Sequence, residues 1–294
     1  MRIIEVSHIT KDYGSGKGVF DVTFNVEKGE VVGFLGPNGA GKTTTIRQLM
    51  GFVRPDKGSV RIKGMDCFKK SSEIQKSLGY LPGEISFMED MTGNEFIKFV
   101  ANMKGMRELD RARELMEFFE LDAEGTIKKM SKGMKQKVGI VCAFMQDSEI
   151  LILDEPTSGL DPLMQNKFVE LISKEKAKGK TILMSSHLFE EVERTCDRIV
   201  IIRQGRIVDV DSMERLQKNK SRIFYITFDT EKTASDFAAA QGGEHMGGRV
   251  VTASVSGDMD SFIKALAAYP VRDMDMRKQT LEEFFLQFYG GEEQ

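Results

Sequence analysis

Gly36-Pro37-Asn38-Gly39-Ala40-Gly41-Lys42-Thr43 decides the fold. The run fills every specified position of G-x-x-x-x-G-K-[ST], a phosphate-binding loop. Its flanks are the ones such a loop needs. Val31 to Leu35 before it reads as a short buried strand, and Thr43 to Met50 after it as a helix closed by Gly51. A strand, a glycine turn and a helix start make an anion site. Glycines let backbone N–H groups converge on a phosphate chain, the helix N-terminus adds partial positive charge, and Lys42 supplies a full one for the β and γ phosphates. Thr43 offers a hydroxyl for Mg²⁺, with Thr44 next to it.

Outward from this loop the pattern alternates between strand and helix. Residues 2 to 9 and 19 to 26 read as strands of a half-buried antiparallel edge, the second alternating Phe20, Val22, Phe24 and Val26 with polar residues. Tyr13 is the one aromatic in the glycine-rich loop between them. Short strands follow at Val60 to Lys63 and at Leu78 to Leu81. From Thr92 the character turns helical. Thr92-Gly93-Asn94-Glu95 is a capping box, and the helix it opens places Phe96, Phe99, Val100 and Met103 on one face. Asp110 opens a second helix and Gly133 to Met145 forms a third. Ile150 to Leu153 is then a fully apolar strand ending in Asp154-Glu155, as expected of a buried parallel strand whose carboxyl end carries function. A helix at 161 to 178, a strand at Thr181 to Ser185, a helix at Leu188 to Cys196 and a strand at Arg198 to Ile202 complete an α/β layering.

From Asp209 to Ser221 the chain reads as a polar connector holding one short helix, without strand signals. Beyond it, strands at Phe224 to Phe228, Val250 to Val255 and Val271 to Met276 interleave with helices near 233–240, 258–268 and 280–289. This is a small α+β domain with no metal, nucleophile or phosphate signature, read as a structural or dimerisation element.

Charge and composition narrow the partners. Forty-two basic residues against forty-five acidic give a net charge of −3, so no whole-protein basic field recruits nucleic acid or anionic lipid, and no nucleic-acid partner is expected. Cys67, Cys142 and Cys196 are odd in number and far apart, which argues against a disulfide framework or a paired-thiol metal site. No run approaches the ~18 apolar residues of a membrane span, and the first residues lack the apolar core of a signal peptide. The expectation is a cytoplasmic protein.

Five motifs in register carry a family resemblance. Besides the phosphate loop, Met130-Ser131-Lys132-Gly133-Met134 resembles the L-S-G-G-Q signature of ATP-binding cassette proteins. Ile150 to Asp154-Glu155, running on to Asp161-Pro162, resembles their Walker B strand and D-loop. His187 matches their switch histidine, and Tyr13 the aromatic that stacks on adenine. The resemblance covers roughly residues 1 to 210 and implies a P-loop NTPase core with an antiparallel β edge and an inserted α-helical subdomain at about 84–146. A linker at 211–221 and a small C-terminal α+β domain at 222–294 follow.

By the same resemblance, ATP is held by Tyr13, the loop from Gly36 to Thr43 with Thr44, and, from a second copy packed head to tail, by Ser131, Gly133 and Asp161. Thr43 and Asp154 hold Mg²⁺. Lys42, Glu155 and His187 are the catalytic set, with Glu155 orienting the attacking water. The chain departs from the family in two places. Lys132 and Met134 stand where glycine and glutamine are usual, a variant similar to that of drug, antibiotic and polymer exporters. The Q-loop glutamine falls on Gly83, which has no side chain to offer, and Glu84 next to it is the candidate to replace that contact to the metal. The function so implied is that of an ATPase subunit working with a separate integral membrane permease for export, peripheral on the inner face of the membrane. The segment Gln279 to Gly290 is similar to the C-terminal extension of drug-exporter ATPases. The alternative is a soluble cassette ATPase acting on ribosomes or DNA, which usually shows a tandem cassette, a long coiled coil or a basic arm, none visible here. A nucleotide kinase or GTPase is disfavoured by the signature segment, by His187 and by the lack of an Asn-Lys-x-Asp tetrad.

Overall fold

The computed structural model describes residues 1–257 and 259–283. The chain divides into two compact units, Met1–Met213 and the remainder from Glu214.

The larger unit is built on a six-stranded sheet. In chain order its strands are β3 (Val31–Leu35), β6 (Leu78–Leu81), β7 (Ile150–Asp154), β8 (Thr181–Ser186), β9 (Arg198–Arg203) and β10 (Arg206–Ser212), in spatial order β10-β9-β3-β8-β7-β6. Every neighbour pair is parallel except β10 against β9. β3, β7 and β8 are buried along their whole length, which is why each carries a continuous apolar stretch rather than an alternation, with polar residues only at the ends of β7 and β8. Helices α1 (Lys42–Leu49), α6 (Pro162–Ala177) and α7 (Phe189–Thr195) are the crossovers. α6 starts cleanly: the Asp161 carboxylate accepts the Met164 amide at 3.0 Å, and Pro162 occupies the first turn, where no N–H is needed.

The antiparallel strands are more than an edge of that sheet. β1 (Arg2–Asp12), β2 (Gly18–Glu27), β4 (Lys57–Ile62) and β5 (Met65–Asp66) form a second sheet in the order β2-β1-β4-β5. Its inner face, with Ile4, Val6, Val22, Phe24, Val60 and Ile62, shares one apolar core with Ile46 and Leu49 of α1 and with Phe34, Ile152 and Val200 of the parallel sheet. Two faces to cover instead of one edge is the physical reason for a separate layer. α2 (Ser71–Lys76) leads into β6.

Between β6 and β7 lie α3 (Gly93–Met103), α4 (Asp110–Phe118) and α5 (Lys132–Phe144). The capping box at Thr92 is formed on both sides, Glu95 N–H to Thr92 Oγ1 at 3.2 Å and Thr92 N–H to Glu95 Oε2 at 2.8 Å. The face expected to be buried is only partly so. Gly93, Phe96, Ile97 and Ala101 are covered, whereas Met103 is 74% exposed, because that side of the helix borders an open groove.

Two further differences concern the connector. Asp209 to Ser212, read as linker, is the second half of β10, a strand that exposes Val208 and Val210 and buries Asp211, so its apolar pattern is inverted. The helix in that stretch is α8 (Met213–Asn219), and the division between units falls at its start.

In the second unit, β11 (Arg222–Phe228), α9 (Glu231–Gln241), β12 (Glu244–Gly247), β13 (Val250–Val255), α10 (Met259–Leu266) and β14 (Val271–Lys278) give a four-stranded antiparallel sheet, β12-β13-β11-β14. Phe224, Ile226, Phe228, Val251 and Ala253 on one face pack on Ala234, Phe237 and Leu266 of the helices. The expected last helix, 280–289, lies outside the described residues beyond Glu283.

Candidate functional site

The phosphate-loop residues fall where strand meets helix. Gly41 precedes α1 with φ 111°, a conformation open to glycine, and a β-carbon there would meet Val19 Cγ1 at 2.6 Å. The loop is held by its own lysine, since Lys42 Nζ donates to the carbonyls of Gly36 at 2.6 Å and Pro37 at 3.2 Å. A backbone bond from Gly205 N–H to Ala40 O, 2.9 Å, ties it to the β9–β10 turn. In front of the loop opens a cavity of about 520 Å³, walled by Tyr13, Asn38, Gly39, Gly41, Lys42, Thr43, Thr44 and Glu155. Tyr13 is half exposed at its mouth, with Lys11 Nζ 5.8 Å from the ring centroid.

The carboxylates stand at the end of β7. Asp154 is fully buried, and its Oδ1 accepts the Ser185 hydroxyl at 2.5 Å while Oδ2 has no partner. Glu155 has φ 49°, a left-handed conformation that costs a non-glycine residue about 1–2 kcal/mol. That turn aims its carboxylate between two side chains: Lys42 Nζ lies 3.0 Å from Oε1, and His187 Nδ1 lies 2.5 Å from Oε2. The cavity therefore ends in a carboxylate gripped by a lysine of the phosphate loop and a histidine of the strand β8 end.

Ser131, Gly133 and Asp161 do not line this cavity. They gather on another face of the same unit. Ser131 caps α5, its Oγ accepting the Met134 amide at 3.2 Å, and Lys132 Nζ reaches Ser158 Oγ at 3.0 Å. Gly133 lies so close to the turn after β7 that a β-carbon would stand 2.8 Å from Gly159 O.

Residues 19–158 match the ABC transporter family. The chain is 33% identical to the bacitracin transport ATP-binding protein BcrA of Bacillus licheniformis over 98% of each chain. It is an ABC transporter ATP-binding protein. The linearmycin resistance ATP-binding protein LnrL of Bacillus subtilis is 37% identical over 71% of this chain and 68% of its own. A solved ATP-binding subunit of an ABC transporter superposes with a TM-score of 0.68 at 34% identity, covering 74% of this chain and 92% of that one. The activity of this ABC protein is ATP hydrolysis, and the α/β cassette is the larger unit described above.

At Gly83, where the resemblance expects a Q-loop glutamine, a side chain would start against Asp154. A β-carbon at Gly83 would lie 3.1 Å from Asp154 Oδ2 and 3.3 Å from its Cγ. That Oδ2 is buried and has no hydrogen-bond partner. Glu84 is exposed, and among the described residues no three His, Cys, Asp or Glu side chains gather to hold a metal ion, so the structure does not group Glu84 with Asp154 and Glu155. The donors that do suit a hard cation are the unpartnered Asp154 Oδ2 and the exposed hydroxyl residue Thr43 on the cavity wall.

Several site residues escaped the sequence reading. Ser185 accepts the Glu155 amide at 3.0 Å as well as donating to Asp154, so one hydroxyl sets both carboxylates. Gln136 of α5 donates to Pro156 O at 2.7 Å and fastens the signature helix to the Walker B turn. Lys17, Gln204 and Gly205 complete the cavity wall. A lone serine after a strand or a glutamine inside a helix carries no pattern, and Gln204 was hidden in a turn; only the glycine-rich loop around Lys17 gave a signal. Burial pushes the Cys67, Cys142 and Cys196 thiols up to about 12, so all three are free, protonated and unreactive.

A second concavity, about 440 Å³, lies between the parallel sheet and α3. Phe52, Tyr80, Ile85, Phe96, Val100 and Met103 line it, with the Phe52 and Tyr80 rings edge to face at 5.9 Å. Among the described residues no helix is long and apolar enough to cross a membrane.

Proposed function

We propose that this protein binds ATP in the 520 Å³ cavity and drives export through a separate membrane-spanning permease, two copies closing head to tail on two nucleotides. Tyr13 stacks on the adenine, while Lys42 and the amides of the loop and helix start take the phosphates. Ser131 and the backbone near Gly133, at the N-terminus of α5, meet the γ-phosphate bound by the other copy, with Asp161 at the edge of that contact. What supports the two-copy reading is that these residues stand off the cavity of their own chain.

Thr43 and Asp154 hold Mg²⁺, which neutralises phosphate charge when bound. The chain's own residues do the rest. Glu155 orients and deprotonates the attacking water, His187 fixes the Glu155 carboxylate and the γ-phosphate, and Lys42 stabilises the charge that develops on the phosphate oxygens. The permease docks in the groove beside α3, whose exposed Phe52 and Met103 need an apolar cover, and the protein sits peripherally on the inner face of the membrane. Names of relatives concerned with bacitracin transport and linearmycin resistance favour an antibiotic-type cargo.

The observation that carries this reading is the Glu155 carboxylate fixed between Lys42 and His187 at 3.0 and 2.5 Å on the cavity wall. Glu155→Gln is expected to reduce turnover at least ~100-fold and to trap an ATP-dependent dimer visible by size-exclusion chromatography. Wild-type turnover in that variant removes Glu155 from its role.

A further inference from the structure

Glu191 sits in the first turn of α7, four residues after His187, and is buried. Its Oε2 accepts the Ser186 hydroxyl at 2.6 Å, and the same Ser186 Oγ accepts the Leu188 amide at 2.9 Å. The two residues flanking His187 thus meet at the Ser186 hydroxyl, which is bonded to the carboxyl. The buried Thr157 side chain, in the turn two residues after Glu155, lies close enough to favour the ionised carboxyl, while Oε1 has no partner in hydrogen-bonding geometry. Glu191 therefore holds the residue before His187 without bonding to His187 or Glu155 itself.

We propose that Glu191 is a positioning residue for ATP hydrolysis, clamping the two flanks of His187 through the Ser186 hydroxyl so that His187 Nδ1 stays on Glu155 Oε2. The charge on Glu191 also bears on Glu155. Burial pushes the Glu191 carboxyl up to about 7, with the negative charge of Glu155 adding to the rise and Ser186, Thr157 and His187 opposing it. The other titratable group close by on α7's end is Cys196, a neutral thiol in this range. Below about pH 7 the carboxyl is neutral; above it, a second buried negative charge faces Glu155 and repels the carboxylate that His187 must hold.

The inference rests on the proposed roles of Glu155 and His187, and the experiment separates the two. Steady-state ATP turnover of the full chain is measured from pH 6 to 8.5 for wild type, Glu155→Gln, Glu191→Leu, Glu191→Gln and Ser186→Ala. Glu191→Leu keeps the volume and loses the clamp, so kcat falls at least ~10-fold with the KM for ATP within ~3-fold. Glu191→Gln still accepts from Ser186 and recovers most of the turnover at pH 6.5. Lacking a titration, it also outperforms wild type increasingly as pH rises above 7. Ser186→Ala opens the clamp from its other end and reproduces the kcat loss should Glu191→Leu fail to fold. Glu155→Gln retaining turnover overturns the underlying reading. With Glu155→Gln inactive, the clamp alone is overturned by unchanged kcat in Glu191→Leu or Ser186→Ala, by Glu191→Gln as impaired as Glu191→Leu, or by a Glu191→Gln to wild-type ratio that is flat with pH.

Discussion

Lys180→Met tests how the helical insertion is fastened to the sheet. Glu175, near the end of α6, has a side chain only 1% exposed, yet three cations converge on it: Arg111 of α4 at 2.7 Å, Lys178 at 2.9 Å and Lys180. Lys180 is the most deeply placed of these, 7% exposed, and also pairs with Asp147 at 2.5 Å. Stripping one partner from a buried ion pair costs about 3–5 kcal/mol when it leaves a charge uncompensated. Here Arg111 and Lys178 remain and Asp147 is 61% exposed, so the expected loss is about 2–3 kcal/mol. At about 2–4 °C per kcal/mol for a unit of this size, the calorimetric transition of the larger unit falls by about 4–12 °C. Burial alone would raise the Glu175 carboxyl, but hydrogen bonds from Lys180 and Lys178 bring it below its ordinary value of 4.5. A depressed carboxylate contributes stability that is present above the unfolded pKa and lost as pH falls through the folded one. The gap between wild type and variant should therefore be full at pH 7 and shrink below about 4.5. Adding Glu175→Met removes the desolvated carboxylate itself and should restore at least ~1 kcal/mol, because an ion pair replaced as a whole often costs little. A Lys180→Met protein within ~0.5 kcal/mol of wild type, or a double variant weaker than the sum of the singles, refutes the reasoning.

Tyr13→Ala should weaken ATP binding by about 1–2 kcal/mol, a ~5- to 30-fold rise in dissociation constant measured by fluorescent-nucleotide titration, with kcat at saturation little changed. Ser185→Ala removes the hydroxyl shared by Asp154 and the Glu155 amide, so turnover should fall at least ~10-fold while the fold survives, read by parallel melting and phosphate release. Gly83→Gln restores the family's residue but sets a β-carbon 3.1 Å from Asp154 Oδ2, and it should lower turnover rather than raise it. Gly133→Val drives a branched side chain into Gly159 O, 2.8 Å from its β-carbon, and should abolish turnover with a clear loss of thermal stability.

The sequence showed the phosphate loop, the buried strands and the capping box because each is a local pattern with one physical meaning. Its failures have equally specific causes. β10 exposes Val208 and Val210, half-buries Asp209 and buries Asp211, and it pairs only on one side, so its residue types do not report its burial. β12, four residues long and exposed throughout, has no burial to imprint a pattern. The antiparallel strands were legible as strands but not as a sheet of their own, since the partner that closes it, β4, is linked to β1 by contacts some fifty residues apart, such as Val6 with Val60. Met103 sat on an apolar helix face that borders a groove instead of the core. At the site, the motif residues were recognised, but Ser185, Ser186, Gln136 and Glu191 act through distance rather than spacing and left no signature.

Glu155 shows why those silent residues matter. Its φ of 49° is unfavourable, so some set of contacts must hold it there. Its amide is taken by Ser185 through both the carbonyl, 3.2 Å, and the hydroxyl, 3.0 Å. Its carbonyl accepts the Ser158 amide at 3.1 Å, and Gln136 anchors the next carbonyl along. Only after the backbone is fixed in this way do Lys42 and His187 meet the carboxylate. Hydrogen bonds worth about 1 kcal/mol each offset the ~1–2 kcal/mol of strain, and each one lost narrows that margin. The contacts come from β8, α5 and the turn toward α6, three parts of the chain that a motif search treats as unrelated. The catalytic geometry is therefore a property of the cassette's packing: the motif names the carboxylate, and the hydroxyls and amides around it decide where it points.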